Sequence, residues 1–264
     1  MKLHIVPART GLLWVLQGVR TFMRQPLAIS GLFLMFMGLV SVLSAIPVFG
    51  SALALALVPA VTLGLMAASR EAQTGRFPMP LVLLTAFREG PQSRRDMLIL
   101  GALYAVCMLV LMWIGTLLMG EAPVSTVADE TAVSPMRQAF SNRSIGWLLV
   151  CYLPVMAAFW HAPALVHWHG VSPGKSMFFS LMACWANKGA MLLFMLGWMG
   201  VFAATGLLLS LLIGVLGRDS SVLPMLLYPL VLLMAAMFHA SLWFSFRDSF
   251  TDTPPTVEDS ARLN

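Results

Sequence analysis

Three ionisable side chains occupy one position of a phrase that recurs along this 264-residue chain. The phrase reads MAASRE at 66–71, MAAFWH at 156–161 and MAAMFH at 234–239, so its sixth position holds Glu71, His161 and His239 in turn. Imidazole and carboxylate suit several transition metals, and the trio at one depth would form a metal site. His161 and His239 alone would suit a haem iron held by two axial imidazoles, which makes the pair a candidate cofactor site. Against both stands a structural role in which a neutral imidazole bonds a nearby backbone carbonyl. Isolated histidines in apolar sequence are weak evidence for a particular ligand, and no cofactor is assigned.

The other short motifs narrow the chemistry further. His167 and His169 in HWHG share a side only in an extended segment, and with Pro163 between them and His161 no HExxH spacing appears. Trp168 beside these rings fits an aromatic belt at a membrane surface. GVSPGKS at 170–176 has three residues between Gly170 and the Gly174–Lys175 pair, where a phosphate-binding loop has four, and it follows an apolar span instead of a strand. No GxSxG, paired catalytic carboxylates or cysteine–histidine motif is present. An enzyme is therefore the less favoured class. Cys107, Cys151 and Cys184 are odd in number and read as small apolar fillers, with no disulfide framework.

These residues sit in a chain that is 59% hydrophobic and 10% charged, with a mean hydropathy of +0.85. A soluble domain carries about 25% charged residues. Six uncharged runs, 27–46, 50–69, 97–119, 145–165, 190–216 and 223–246, reach the roughly 20 residues that a helix needs to cross a bilayer core. They do not alternate as barrel strands do. None contains Asp, Glu, Lys or Arg, which argues against a proton-driven antiporter and leaves a path for lipid or neutral solute open. The N-terminal apolar patch is broken by Arg20 and Arg24 with no small-x-small cleavage site, so the first span reads as a retained anchor.

Placing both termini in the cytoplasm puts thirteen of the sixteen Lys and Arg residues on that side, leaving Arg137, Arg143 and Arg218 outside. The formal charge of +5 is then explained by anionic headgroups. No nucleic acid is expected as a partner, because no binding motif or basic domain accompanies the charge. Membrane lipids are expected, with a homo-oligomer or another membrane protein as the protein partner.

Three apolar segments lie between the spans. Residues 8–24 form an amphipathic pattern with Arg9, Gln17, Arg20 and Arg24 opposite Leu12, Val15, Leu16, Val19, Phe22 and Met23. Such a helix can lie flat in the headgroup layer, and 79–87 and 176–185 suit the same place. The expected fold class is all-α integral membrane: six transmembrane helices as three helical pairs, each preceded by a short interfacial amphipathic segment. The units are 8–69, 79–165 and 176–246 of a single bundle spanning 1–246, with a disordered cytoplasmic tail at 247–264. The recurring phrase, and Pro59, Pro154 and Pro229 in the second span of each unit, read as an internal repeat. Ala52, Ala56, Ala60, Gly64 and Ala68, and likewise Gly206, Ser210 and Gly214, recur every four residues and are expected to face other helices. The loop at 120–144 is polar and reads as an external cover or recognition loop; its NRS triplet carries little weight.

With these residues laid out, MKLHIVPARTG, RQPLA, PAVTLGLMAASREAQTGRFPMP and APALVHWHGVSPGKSMFFS resemble a family of polytopic inner-membrane proteins of beta-proteobacteria. More distantly, the layout is similar to the membrane domain attached to some glycerophosphodiester phosphodiesterases. The first resemblance implies a bacterial inner membrane and supplies no catalytic residue. The second does not bring its activity, because the soluble catalytic domain is missing. The leading reading is a non-enzymatic protein of transport, lipid handling or membrane organisation. The alternatives are an intramembrane metal or haem redox protein using His161 and His239, and an accessory subunit of a membrane complex.

Overall fold

A computed structural model describes residues 2–119, 143–216 and 222–251. Nine α-helices account for most of these: α1 (Thr10–Arg24), α2 (Pro26–Ser44), α3 (Gly50–Gln73), α4 (Pro91–Met119), α5 (Arg143–Trp160), α6 (Ala162–His169), α7 (Pro173–Ala186), α8 (Lys188–Leu216) and α9 (Val222–Ser249). A 3-10 helix at Pro80–Phe87 precedes α4, and the two-residue strands β1 (Lys2–Leu3) and β2 (Phe250–Thr251) pair antiparallel. Six helical stretches are long and apolar enough to cross a membrane, Gly146–His169 counting as one. The expected loop at 120–144 lies outside the described residues up to 142, as does the tail from 252. Arg247–Ser249 and Phe250–Thr251, expected in that tail, instead finish α9 and form β2. Pairing of β2 with β1 is what orders them, and it brings the described chain ends to one end of the bundle.

Large apolar side chains on the outside and small or polar ones between helices give the surface of a lipid-embedded bundle. Leu34, Val42, Trp113, Leu192 and Leu207 are exposed, whereas α9 buries Ser241, Ser245 and Ser249 at four-residue spacing. Ser241 and Ser245 accept hydrogen bonds from the Trp198 and Trp160 indoles at 3.2 and 3.1 Å. In lipid, helix association rests on such close contacts and hydrogen bonds, since the solvent is as apolar as the side chains. The stripe on α3 is internal: Ala60, Gly64 and Ala68 are buried. Gly101 of α4 sits so close to the Ala56 carbonyl that an added Cβ would stand 2.1 Å from its oxygen.

The stripe on α8 is not internal. Gly206, Ser210 and Gly214 are exposed, and no described atom outside the helix lies within 4 Å of a Cβ placed at Gly206 or Gly214. Along the C-terminal half of α8 this face meets no described neighbour at Gly206 or Gly214. Four-residue spacing supplies a surface on which a helix can settle, and here none of the described helices does at Gly206 or Gly214.

Packing also departs from three pairs. The third expected pair, α8 and α9, touches only slightly, because α1 lies against both. An added Cβ at Gly11 would fall 2.0 Å from the Ala190 carbonyl of α8, and one at Gly18 would fall 2.4 Å from the Ser241 Cβ of α9. The amphipathic split of α1 accordingly differs from the expected one. Val15 and Phe22 enter the core with Trp14, while Leu12, Leu16 and Met23 stay exposed. The second expected segment is a 3-10 helix lying against Gly64 of α3, and the third is the 14-residue helix α7.

Candidate functional site

The residues singled out by sequence form no three-ligand cluster among the described residues. His239 lies within α9, its Nδ1 2.8 Å from the Ala235 carbonyl oxygen. A carbonyl can only accept, so Nδ1–H donates and, in the neutral ring, Nε2 is left as the acceptor. His161 lies where α5 breaks into α6, its ring against Phe246 and Phe250. That break has a chain-level cause: Pro163 has no N–H to continue the helix, and the His161 N–H bonds the Ser180 hydroxyl of α7 at 2.9 Å. The His161 Nδ1 is buried without a hydrogen-bond partner among the described residues. Glu71 is half-buried near the end of α3.

The expected metal trio of Glu71, His161 and His239 is therefore not assembled, and no three His, Cys, Asp or Glu among the described residues are placed to hold a metal ion. Equal positions in a repeated phrase do not become equal positions in space, because the helix is continuous at Glu71 and His239 and broken at His161. The two histidine rings have different aromatic neighbours, Phe246 and Phe250 at His161 and Phe33 and Phe238 at His239.

The HWHG segment is the end of α6 and not extended, so His167 and His169 point to different sides. His167 Nε2 lies 3.2 Å from Glu89 Oε1, linking α6 to the turn before α4. Trp168 packs on Trp243 and Phe246 at 5.0 and 5.2 Å between ring centroids. Gly170 ends α6 in the left-handed region at φ 61°, where a side chain would be strained. Cys184 is buried on α7, and burial pushes its thiol up to about 12. It stays protonated and serves as packing. Cys107 is half-buried, while Cys151 is exposed and fills no interior space.

What the fold does assemble is a cavity of about 150 Å³ among α3, α4, α5, α6 and α9. Pro59 and Pro163 form part of its wall, with Phe159, Trp160 and Leu242 as apolar surface and Thr62, Tyr104, Tyr152 and His239 as its polar groups. Tyr104 packs edge-on against Phe159 at 5.0 Å. Thr62, Tyr104, Tyr152 and Val155 are half-buried, so the cavity opens on the bundle surface near the middle of α3. An apolar wall with a few convergent polar groups is the usual make-up of a small-molecule site, though those run to roughly 300–1,000 Å³. The space here accepts a few methylenes or a small neutral solute, and not a whole lipid.

Sequence reasoning found His239 and missed the two tyrosines. The chain has three tyrosines, and two of them reach this cavity. A phenol within an uncharged span was the available signal.

A protein of Burkholderia thailandensis described as a probable inner membrane protein is 34% identical over 255 residues, covering 95% of this chain and 94% of that protein. The chain belongs to this inner-membrane family. Its relationship runs through all six apolar helices, and multi-span residence in the inner membrane follows. No protein-family profile matches the chain, and no solved structure does. The likeness to the membrane domain of glycerophosphodiester phosphodiesterases has no support among these matches.

Proposed function

We propose that this inner-membrane protein binds membrane lipid through the mid-bundle cavity and acts without covalent chemistry, in lipid handling or membrane organisation. The observation that carries the reading is a cavity that is mostly apolar, opens between helices, and has Thr62, Tyr104, Tyr152 and His239 as its polar contacts. Its size suits one segment of an acyl chain, with the rest of the lipid lying along the outside of the bundle. In this reading both termini face the cytoplasm, as the excess of basic residues at that end favours.

The test is native mass spectrometry of protein extracted with its surrounding lipid, alongside a Val155→Phe variant that fills the cavity mouth. Wild-type protein is expected to retain lipid after detergent exchange, and the variant to lose most of it. Equal retention by both would remove the cavity from the reading. Wild-type protein that neither retains lipid nor alters lipid or solute movement in liposomes would remove the reading altogether.

A further inference from the structure

Arg70, near the end of α3, is exposed, and its guanidinium lies over the rings of Trp243 and Trp168 at 5.6 and 5.9 Å. The two indoles belong to α9 and α6 and pack edge to face on each other. Among the described residues Arg70 has no carboxylate partner. Glu89 lies against His167, and Glu71, next to Arg70 in sequence, makes no ion pair with it. One helical turn on, Gln73 accepts the Trp243 indole N–H on Oε1 at 3.1 Å. Its amide NH₂ is thereby left as a donor. The Gln73 carbonyl accepts Arg24 Nη1 from α1 at 3.2 Å. Two exposed guanidinium groups and a fixed amide donor thus stand together where α1, α3, α6 and α9 meet.

We propose that this cluster is a binding site for a phosphate group, its source being the phosphodiester of a lipid headgroup or a free phosphate anion. The chemistry follows from the donors. Cation–π attraction to two indoles holds the guanidinium at this place and leaves its N–H groups for a ligand. A planar fork of this kind matches two oxygens of a phosphate, and charge-assisted bonds of that sort are the stronger ones. Met23, next to Arg24, is exposed and apolar, so the cluster borders a surface that acyl chains can cover. The site does not depend on whether the mid-bundle cavity is filled.

The experiment titrates the full-length protein in detergent with phosphatidylglycerol, with diacylglycerol of the same chains, and with inorganic phosphate, reading the rise in thermal unfolding midpoint. Phosphatidylglycerol is expected to raise the midpoint and diacylglycerol to leave it unchanged. Arg70→Gln should raise the half-saturating phosphatidylglycerol concentration about tenfold, the loss of one charge-assisted contact. Arg76→Gln removes the same charge from an exposed residue just past the end of α3 and should change it by less than about twofold. Arg70→Lys keeps a cation over the indoles and loses the fork, so it should weaken binding by about threefold; this reading stands even if Arg70→Gln fails to fold. An Arg70-dependent shift with inorganic phosphate of equal size would assign the site to a free anion. A diacylglycerol shift as large as that of phosphatidylglycerol, an equal loss in Arg76→Gln, or an Arg70→Lys variant indistinguishable from wild type would overturn the proposal.

Discussion

Where β1 and β2 meet, the bundle is closed by polar ties, whereas about 27 Å along α8 by helical rise the small-residue face of that helix meets none of the described residues at Gly206. At the closed end the buried Asn187, between α7 and α8, accepts the Val6 N–H at 2.8 Å. It also donates to the His4 carbonyl at 3.0 Å and to the Ser249 hydroxyl at 3.5 Å. Trp14 donates its indole N–H to Asp248 at 2.8 Å, and Asp248 in turn pairs with Arg247. Arg247 reaches Gln17 of α1. At the open end no described atom outside the helix lies within 4 Å of a Cβ placed at Gly206, and Ser210 is exposed. The difference teaches that small residues on a helix record the capacity for close approach; a partner must still arrive. Gly11 and Gly18 have one, and Gly206 has none among the described residues.

Substitutions of matched type at the two ends test that difference. The largest effect is expected from Gly11→Leu, since even a Cβ would collide with the Ala190 backbone. α1 cannot then seat on α8, and a loss of about 3 kcal/mol or more is expected from overpacking against backbone, read as a fall in the thermal midpoint of detergent-solubilised protein. Asn187→Ala should follow, at about 1–3 kcal/mol, because it removes the partner of the half-buried Val6 N–H and His4 carbonyl together. Limited proteolysis would detect it independently, with cleavage moving into residues 2–9 as the N-terminal segment is released. Trp14→Phe keeps most of the buried ring and loses the bond to Asp248, so about 1.5–3 kcal/mol is expected. A Trp14→Phe protein as stable as wild type would show that the tie to Asp248 adds little to the closed end. Gly206→Leu should be nearly silent, within about 0.5 kcal/mol in the isolated protein. A large loss there would show that a second chain or another protein covers α8, and would erase the contrast between the ends.

The histidines show how far sequence can be read into a site. Their shared place in a repeated phrase was legible, as was the local bond of His239 to a backbone carbonyl. Their different surroundings were not, because one proline, Pro163, follows a break in one copy of the helix, where His161 packs on Phe246 and Phe250. The tyrosines of the cavity come from α4 and α5, and the cation–indole cluster draws on α1, α3, α6 and α9. Neither has a linear pattern, since the residues meet only when helices distant in sequence pack. The α3 stripe was read correctly and the α8 stripe was not, although their spacing is the same.

By itself the sequence determined that this chain spans a membrane. Uncharged runs of about 20 residues satisfy their backbone polar groups as helices and are stable in lipid whatever their neighbours do, so six spans can be counted before any is placed. Only the tertiary structure decided which helices touch, that α1 fills the space between α8 and α9, and which polar side chains come together. Those outcomes depend on shape complementarity at a few small residues and on hydrogen bonds across long sequence separations, and neither leaves a periodic trace along the chain.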